Sequence, residues 1–487
     1  MSSPIEGLEP RRLWEYFAEI SAIPRCSKHE SGAARYVSGV AEKPGLEVFK
    51  DPKGNVIVRK KSGPGREKTP MIALQSHLDM VCEKNKDTAH DFGKDPIVLK
   101  RSGKFITADG TTLGADNGIG VATALAIMED RAMNHGPLEF VFTVDEETGL
   151  TGAASLQRDA LKSRILINLD TEDEGVLYVG CAGGCDSTGT LPAAFDALPV
   201  KHALYALRVD GLRGGHSGID IHTGRANAIK LLTRVLSAVA GSGARLCRLS
   251  GGNKRNAIPR EAEALIALPA AQIAASVKAV MELERVFKNE YSATDSGAAV
   301  SFSPYEGKRA GIRALKRVSQ ERLLDLLCGL PHGVIAMSQD IPGLVETSTN
   351  LARVTMERTA VTIETSQRSS VESRKAEIVG AVSAVFALAG AHVIHGDGYP
   401  GWKPDLNSPM LKIAKETYRR LYGKEAEVKA VHAGLECGII GERFPGMDMI
   451  SLGPTIEMAH SPEERVNIDS VKRYWDYLVG ILETASV

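Results

Sequence analysis

The stretch Met71-Ile72-Ala73-Leu74-Gln75-Ser76-His77-Leu78-Asp79 decides the fold. Its first residues form a short apolar run, the pattern of a strand buried on both faces of a parallel sheet. The run breaks into Ser76, His77 and Asp79, polar groups placed where such a strand would end. In open α/β sheets, ligands bind beyond the carboxyl ends of the strands. Residues two apart on an extended segment face the same side, so His77 and Asp79 point together.

Outward from this stretch, further strands are expected over 55–59, 138–144 and 164–169. Helices are expected over 11–22, after Ser31 as an N-cap, and over 118–129. The alternation implies an α/β domain with a central mixed sheet flanked by helices. From about residue 187 the texture changes. A strand (202–209), a helix (225–240), a strand (264–268), a helix (270–289) and a strand (298–302) are followed by a similar order. That second set is a helix (318–327), a strand (333–338), paired strands (350–358 and 361–365), a helix (370–389) and a strand (392–396). Each half resembles a ferredoxin-like βαββαβ unit, so an internal duplication is expected. After about 400 the α/β texture returns, with a helix over 407–422, strands over 427–431 and 448–452, and a terminal helix over 466–485. The expected organisation is a discontinuous catalytic domain, 1–186 and 400–487. It is interrupted by an inserted α+β lid domain, 187–399, built from two ferredoxin-like halves.

The chain has 487 residues, long enough for two or three cores. Lys plus Arg is 59 and Asp plus Glu is 60, for a net charge of -1. With the signs intermixed, nothing favours nucleic acid or an anionic membrane as a partner. The start, Met-Ser-Ser-Pro-Ile-Glu-Gly, lacks the basic and apolar regions of a secretory signal. Residues 378–394 are apolar but short and broken by Gly390, so a buried helix and a strand are expected there, not a membrane span. Seven cysteines, an odd and scattered set, suit free thiols in a reducing cytoplasm. Cys181 and Cys185 have no second pair to complete a structural zinc site.

Three other strand ends carry ligand chemistry. The strand at 138–144 leads into Asp145-Glu146-Glu147, that at 164–169 ends at Asp170, and that at 448–452 leads through a loop to His460. The glycine-rich segment Thr112-Leu113-Gly114-Ala115-Asp116-Asn117-Gly118 enters a helix. Alone, each has a plainer reading. An acidic run is usually solvated surface, and Gly-Ala-Asp-Asn-Gly can be a turn or a helix cap. Together they offer imidazole and carboxylate without thiolate, which suits zinc, cobalt or manganese better than calcium. Their number suggests two ions sharing a bridging carboxylate.

Several segments carry a family resemblance: Ser-His-Leu-Asp-Met-Val, Thr-Leu-Gly-Ala-Asp-Asn-Gly-Ile-Gly, Asp-Glu-Glu-Thr-Gly-Leu-Thr-Gly-Ala, Asn-Leu-Asp and Ala-His-Ser-Pro-Glu-Glu. They resemble the co-catalytic zinc exopeptidases, the superfamily of carnosinases, aminoacylases and glutamate carboxypeptidases. Ile-Pro-Arg-Cys-Ser-Lys-His-Glu at 23–30 and His-Ala-Gly-Leu-Glu-Cys-Gly at 432–438 look like the subgroup of dipeptidases that accept Xaa-His. The resemblance spans essentially the whole chain.

It implies that His77 and Asp170 hold one zinc, Glu147 and His460 the other, and Asp116 bridges both, with a cis bond after Asp116. Asp79 would orient the His77 ring, and Glu146 would be the general base. In the lid, His216 would face the substrate carbonyl, and Asn256 opens an Asn-x-Ile-Pro segment. The second half would supply Asn350 to the substrate and Arg368 to its terminal carboxylate. His432 and Glu436 would lie at the amine end or the pocket wall. The plain alternatives are a glycine-flanked turn for His216 and a surface ion pair for Arg368. The Asp-x-Arg expected in the first lid half is replaced by Ala264-Leu265-Ile266.

The implied activity is hydrolysis of unblocked dipeptides, Xaa-His types included, with two Zn²⁺ (Co²⁺ or Mn²⁺ as substitutes) and a Glu base. The runner-up is a tripeptidase or an N-acyl amino acid deacylase. From another class comes a catalytically silent metal- or peptide-binding protein. The partner is a small peptide. A homodimer stays open, because a two-part lid can do within one chain what a partner does in relatives.

Overall fold

The structure, a computed structural model, describes residues 3–485. The chain divides into two compact units. One runs to Cys181 and takes up again over Trp402–Ala430 and from Leu435; the other comprises Ala182–Gly401 and Val431–Gly434.

The first unit is built on an eight-stranded sheet. Its strands run in the order Glu47–Lys50, Val56–Lys60, Leu138–Thr143, Ile72–His77, Ile165–Asn168, Asp448–Ser451, Val176–Cys181 and Glu427–Val431. The middle four are parallel to one another, and the Glu47–Lys50 and Val56–Lys60 side is antiparallel. The sheet is therefore mixed, as the βαβ rhythm implies. Every residue of Ile72–His77 and Leu138–Thr143 is buried, which is why these strands read as largely apolar runs, with Gln75 and Glu139 as buried polar exceptions. The helix Ala115–Glu129 is apolar almost all round and nearly wholly buried. Because the central strands run one way, His77, Asp145 and Asp170 come at or just past one end of the sheet.

The second unit holds one nine-stranded sheet. Its first half runs Ala299–Pro304, His202–Asp210, Ala262–Pro269, Arg245–Gly251, the ferredoxin-like order in which strand four lies beside strand one. The second half repeats that order as His392–His395, Gly183–Pro192, Ala360–Ser369, Val345–Met356, with Gly333–Met337 added beside the last. Ser250 and Gly251 pair with Thr355 and Val354 to join the halves.

Two details differ from the expectation. The second half takes its first strand, Gly183–Pro192, from ahead of the first half, so the halves are nested and not in tandem. That segment, Gly-Gly-Cys-Asp-Ser-Thr-Gly-Thr-Leu-Pro, carries no strand signal of its own and is held by ladders on both sides. The strand Arg245–Gly251 is also absent from the sequence reading. The helix Glu372–Leu388 buries Ile378, Val382 and Phe386 at four-residue spacing, the stripe of a helix lying on a core. Among the described residues no helix is long and apolar enough to cross a membrane.

The cysteines need a correction. Cys26 and Cys82 form a disulfide, while Cys181, Cys185, Cys247, Cys328 and Cys437 are free. The chain brings the pair together because Cys26 bridges Met80 in parallel and the Met80 N–H donates to Arg25 O at 3.1 Å. The two Cα atoms stand 5.7 Å apart, inside disulfide range. No count of cysteines shows such a juxtaposition of distant segments.

Candidate functional site

Beyond the carboxyl ends of the parallel strands, five ligand-type side chains converge. His77 Nε2 lies 3.1 Å from Asp116 Oδ1 and 3.1 Å from Asp170 Oδ1. His460 Nε2 lies 3.0 Å from Asp116 Oδ2 and 3.1 Å from Glu147 Oε2. Each imidazole nitrogen thus faces two carboxylate oxygens, and Asp116 gives one oxygen to each group. Ions bound at about 2.0–2.2 Å would set tetrahedral donors about 3.3 Å apart, close to these separations. Glu147 Oε1 is buried without a hydrogen-bond partner, a costly state that a cation relieves. The donor set, two imidazoles and three carboxylates, fits a pair of zinc-like ions. The peptide bond between Asp116 and Asn117 is cis.

The surrounding charges fit the same reading. Burial works against a charged His77, yet Asp170, Asp116 and Asp79 hold its pKa well above the ordinary value. Hydrogen bonds to Asp116 and Glu147 raise His460 to about 11. Burial, with Asp116 and Glu147 nearby, pushes Asp170 up to about 6. These acids and bases perturb one another strongly, as groups at a functional site do.

Asp79 is fully buried and sits beneath both glutamates. Its Oδ1 accepts the Glu146 N–H at 3.0 Å, and its Oδ2 accepts the Glu147 N–H at 3.1 Å and the Ser27 hydroxyl at 2.8 Å. His77 Nδ1 lies 3.4 Å from Asp79 Oδ1, the geometry of a ring oriented through its far nitrogen. Burial opposes it, but His77 and these donors lower Asp79 to about 2. Glu146 stands with His77 and Glu147 in one cluster. Burial, reinforced by Asp170, Glu147 and Glu436, raises its pKa well above the ordinary value although His77 opposes.

The second unit gathers His216, Arg368 and His432. His216 Nδ1 accepts the N–H groups of Gly218 and Ile219 at 3.2 and 3.1 Å, so the ring proton is left on Nε2 as a donor. Burial and the nearby Arg368 lower His216 to about 4. A Cβ on Gly218 would come within 2.2 Å of His432 O and 3.1 Å of the His216 ring, so only glycine fits between them. His432 Nε2 hydrogen-bonds Ser348 Oγ at 2.7 Å, and Ser348 is the cross-strand partner of Arg368. Arg368 is buried, bonds Tyr399 Oη at 2.8 Å through Nη1, and leaves Nε without a partner.

Asn350 donates to Ala257 O at 2.8 Å and Arg255 O at 3.3 Å, leaving its side-chain oxygen unpartnered. Asn256 is exposed, and its main-chain carbonyl receives the Ser217 N–H. Glu436, a candidate for the amine end or the pocket wall, belongs to the first unit. It is fully buried, and Oε2 accepts from Gln75 Nε2 and Thr143 Oγ1, both at 2.6 Å. Its other oxygen, Oε1, is buried without a hydrogen-bond partner.

The pattern of peptidase family M20/M25/M40 matches residues 73–484. The chain belongs to that family. It is 43% identical over 482 residues to the cytosol non-specific dipeptidase of Escherichia coli strain K12, covering 99% of each chain. The crystal structure of aminoacylhistidine dipeptidase from Vibrio alginolyticus superimposes with a TM-score of 0.91 at 42% identity, covering 99% of this chain and 98% of that one. A tripeptidase from Staphylococcus aureus, at 19% identity, 98% and 99% coverage and TM-score 0.57, shares the fold.

In this M20/M25/M40 chain, residues that the sequence reading passes over also bear on the site. Gln75 bonds Glu436 on one side and Asn168 on the other, and Ser451 donates to Asn168. This polar file crosses three central strands beneath the ligands. Tyr399 holds Arg368. A polar residue inside an apolar strand run, as at Gln75 and Asn168, is the one signal that could have found them.

Proposed function

We propose that the chain hydrolyses the peptide bond of unblocked dipeptides, Xaa-His types included, with two zinc ions at the His77, Asp116, Glu147, Asp170 and His460 cluster. The observation that carries this reading is Asp116, whose two oxygens each complete a separate imidazole–carboxylate group. Substrate class rests on two relatives above 40% identity over nearly the whole chain, whose names are those of dipeptidases.

Bound ions would supply Lewis-acid polarisation of the scissile carbonyl and make water acidic enough to deprotonate near neutral pH. The remaining work falls to the chain. Glu146 takes the proton from the attacking water at its carboxylate and passes it to the leaving amine. Asp79, through the Glu146 and Glu147 N–H groups, keeps base and ligand in register. His216, with its proton on Nε2, offers a hydrogen-bond donor from the second unit. Arg368, buried with a spare Nε–H, is suited to a terminal carboxylate. His432 lines the same polar group. The metal ligands and Glu146 all belong to the first compact unit, and His216, Arg368 and His432 to the second.

We place the protein in the cytoplasm, in line with the name of the Escherichia coli relative. A disulfide is uncommon there, so non-reducing mass analysis of fractionated cells tests both points.

The experiment is hydrolysis of β-alanyl-histidine, a dipeptide panel, a tripeptide and an N-acetyl amino acid by chelator-stripped protein, with and without Zn²⁺, beside Glu146→Ala. Metal-restored cleavage of dipeptides alone, lost in Glu146→Ala, is expected. Cleavage of the tripeptide or the acylated substrate instead would overturn the dipeptide reading. No cleavage by metal-loaded protein would overturn the enzyme reading.

A further inference from the structure

Glu464 follows the ligand-type His460 by four residues on the same loop, and it is 2% exposed. A carboxylate this deep beside other acids looks like a sixth metal ligand. Its hydrogen bonds say otherwise. Oε2 accepts the N–H groups of Leu113 at 2.7 Å and Gly114 at 2.9 Å. Oε1 accepts those of Ala115 at 2.7 Å and Asp116 at 3.3 Å. A carboxylate has about four lone-pair sites, and four successive backbone amides occupy them. None is left for an ion.

The same segment is gripped from its other side. Arg25, 1% exposed, donates through Nη2 to Gly114 O and through Nη1 to Leu78 O at 3.0 Å and Asp79 O at 2.8 Å. A Cβ on Gly114 would lie 2.6 Å from Arg25 Nη2 and 2.8 Å from Met80 Sδ, and Gly114 has φ +68, so glycine alone fits there. The backbone that presents Asp116 is thus fixed between a buried acid and a buried base. Glu464 also ties that backbone to the loop carrying His460, whose own φ is +62. Glu147 is the one donor around His460 that neither Glu464 nor its loop holds.

We propose that Glu464 is a positioning residue that locks Asp116 to His460 and so sets affinity for the ion shared by Asp116, Glu147 and His460, more than for the ion beside His77 and Asp170. This rests on the two-ion reading above.

The test is Co²⁺ titration of chelator-stripped protein by calorimetry and visible absorption, with kcat and KM on a dipeptide. In Glu464→Gln one acceptor oxygen becomes an N–H₂ facing backbone N–H groups. The second equivalent is expected to bind about 10- to 100-fold more weakly, the usual range for a group supporting a ligand. The first should stay within about threefold, and kcat at a fixed subsaturating Co²⁺ concentration should fall while KM holds. Glu464→Asp keeps both oxygens one methylene back and should show the same order to a lesser degree; it carries the test if Glu464→Gln does not fold. The exposed neighbour is the control, and Glu463→Gln should bind both ions as the parent does. Two equivalents bound with parental affinity in Glu464→Gln, or an equal weakening of both, would overturn the proposal. Asp116→Asn keeps the failures apart. If the parent itself binds fewer than two equivalents, the two-ion reading is lost, and if Asp116→Asn binds two as the parent does, Asp116 is not their shared ligand; if Asp116→Asn loses them while Glu464→Gln does not, only the role of Glu464 is lost.

Discussion

Replacing Asp79 with Asn changes no volume and removes one acceptor oxygen, so its cost can be worked from the hydrogen bonds. The carboxylate receives the Glu146 N–H, the Glu147 N–H and the Ser27 hydroxyl, and faces His77 Nδ1. An Asn side chain has a single oxygen. Whichever way the amide turns, its N–H₂ faces one of the two glutamate N–H groups in a fully buried place. An orphaned buried donor costs about 1–3 kcal/mol, and every 1.4 kcal/mol is about tenfold in rate. If that cost appears as displacement of the 146–147 backbone, kcat falls about 5- to 150-fold. His77 loses its charged partner as well, and metal affinity should drop about 10- to 100-fold. The assay is dipeptide turnover at saturating Zn²⁺ for wild type and Asp79→Asn, with chelator competition to rank metal affinity. A variant within twofold of wild type in both would refute the claim that Asp79 holds base and ligand in place.

Other perturbations test separate parts of the site. Metal ligands must be deprotonated, and His77 and His460 carry raised pKa values in the metal-free protein; loading at pH 7 should therefore release about two protons, and affinity should climb with pH. Calorimetry in buffers of different ionisation enthalpy reads this, and zero release would refute it. Arg368→Met should raise KM for peptides with a free carboxylate about 10- to 100-fold, the scale of a charge-assisted bond, while leaving hydrolysis of C-terminal amides unchanged; equal losses on both would show a structural role. Burial lowers His432 to about 3 and His332 to about 4, against an ordinary value of 6.5. The unfolded chain then binds more protons between pH 6.5 and about 4, so stability is full above that window and falls through it, by about 1.4 kcal/mol per pH unit for each histidine. Hydrogen exchange of peptides from the second unit should show protection lost on acidification, with the loss reduced in His432→Gln.

How much of this is legible without coordinates depends on what kind of signal each part leaves. The strand Ile72–His77 is legible because it is buried on both faces and so reads as an apolar run that stops at a ligand. Leu138–Thr143 shows the same pattern. Gly183–Pro192 is not, since glycines and small polar residues form a strand there only because two neighbours supply its ladder. Without that strand the second ferredoxin-like half looks headless, and the nesting of the two halves stays hidden. The Cys26–Cys82 pair is hidden for a related reason: it depends on where distant segments cross.

The ligands and their supports differ in the same way. A metal ligand must be one of a few residue types, so chemistry marks the strand ends and the glycine-rich loop as candidates, and the family resemblance singles out His77, Asp116, Glu147, Asp170 and His460 as the proposed ligands. A support answers to no such rule. Glu463 and Glu464 are adjacent and chemically identical, yet one is exposed and the other receives four backbone amides. Backbone amides carry no side-chain signature, so no pattern of residue types can show which glutamate faces them. Arg25 is the same case seen from the other side, since its partners are three carbonyl oxygens. The chemistry of the centre is therefore written in residue identity, while its rigidity is written in main-chain geometry. It follows that substitutions at Arg25 and Glu464 should alter the strength of metal binding without altering which metals bind, because donor identity stays with the five ligands.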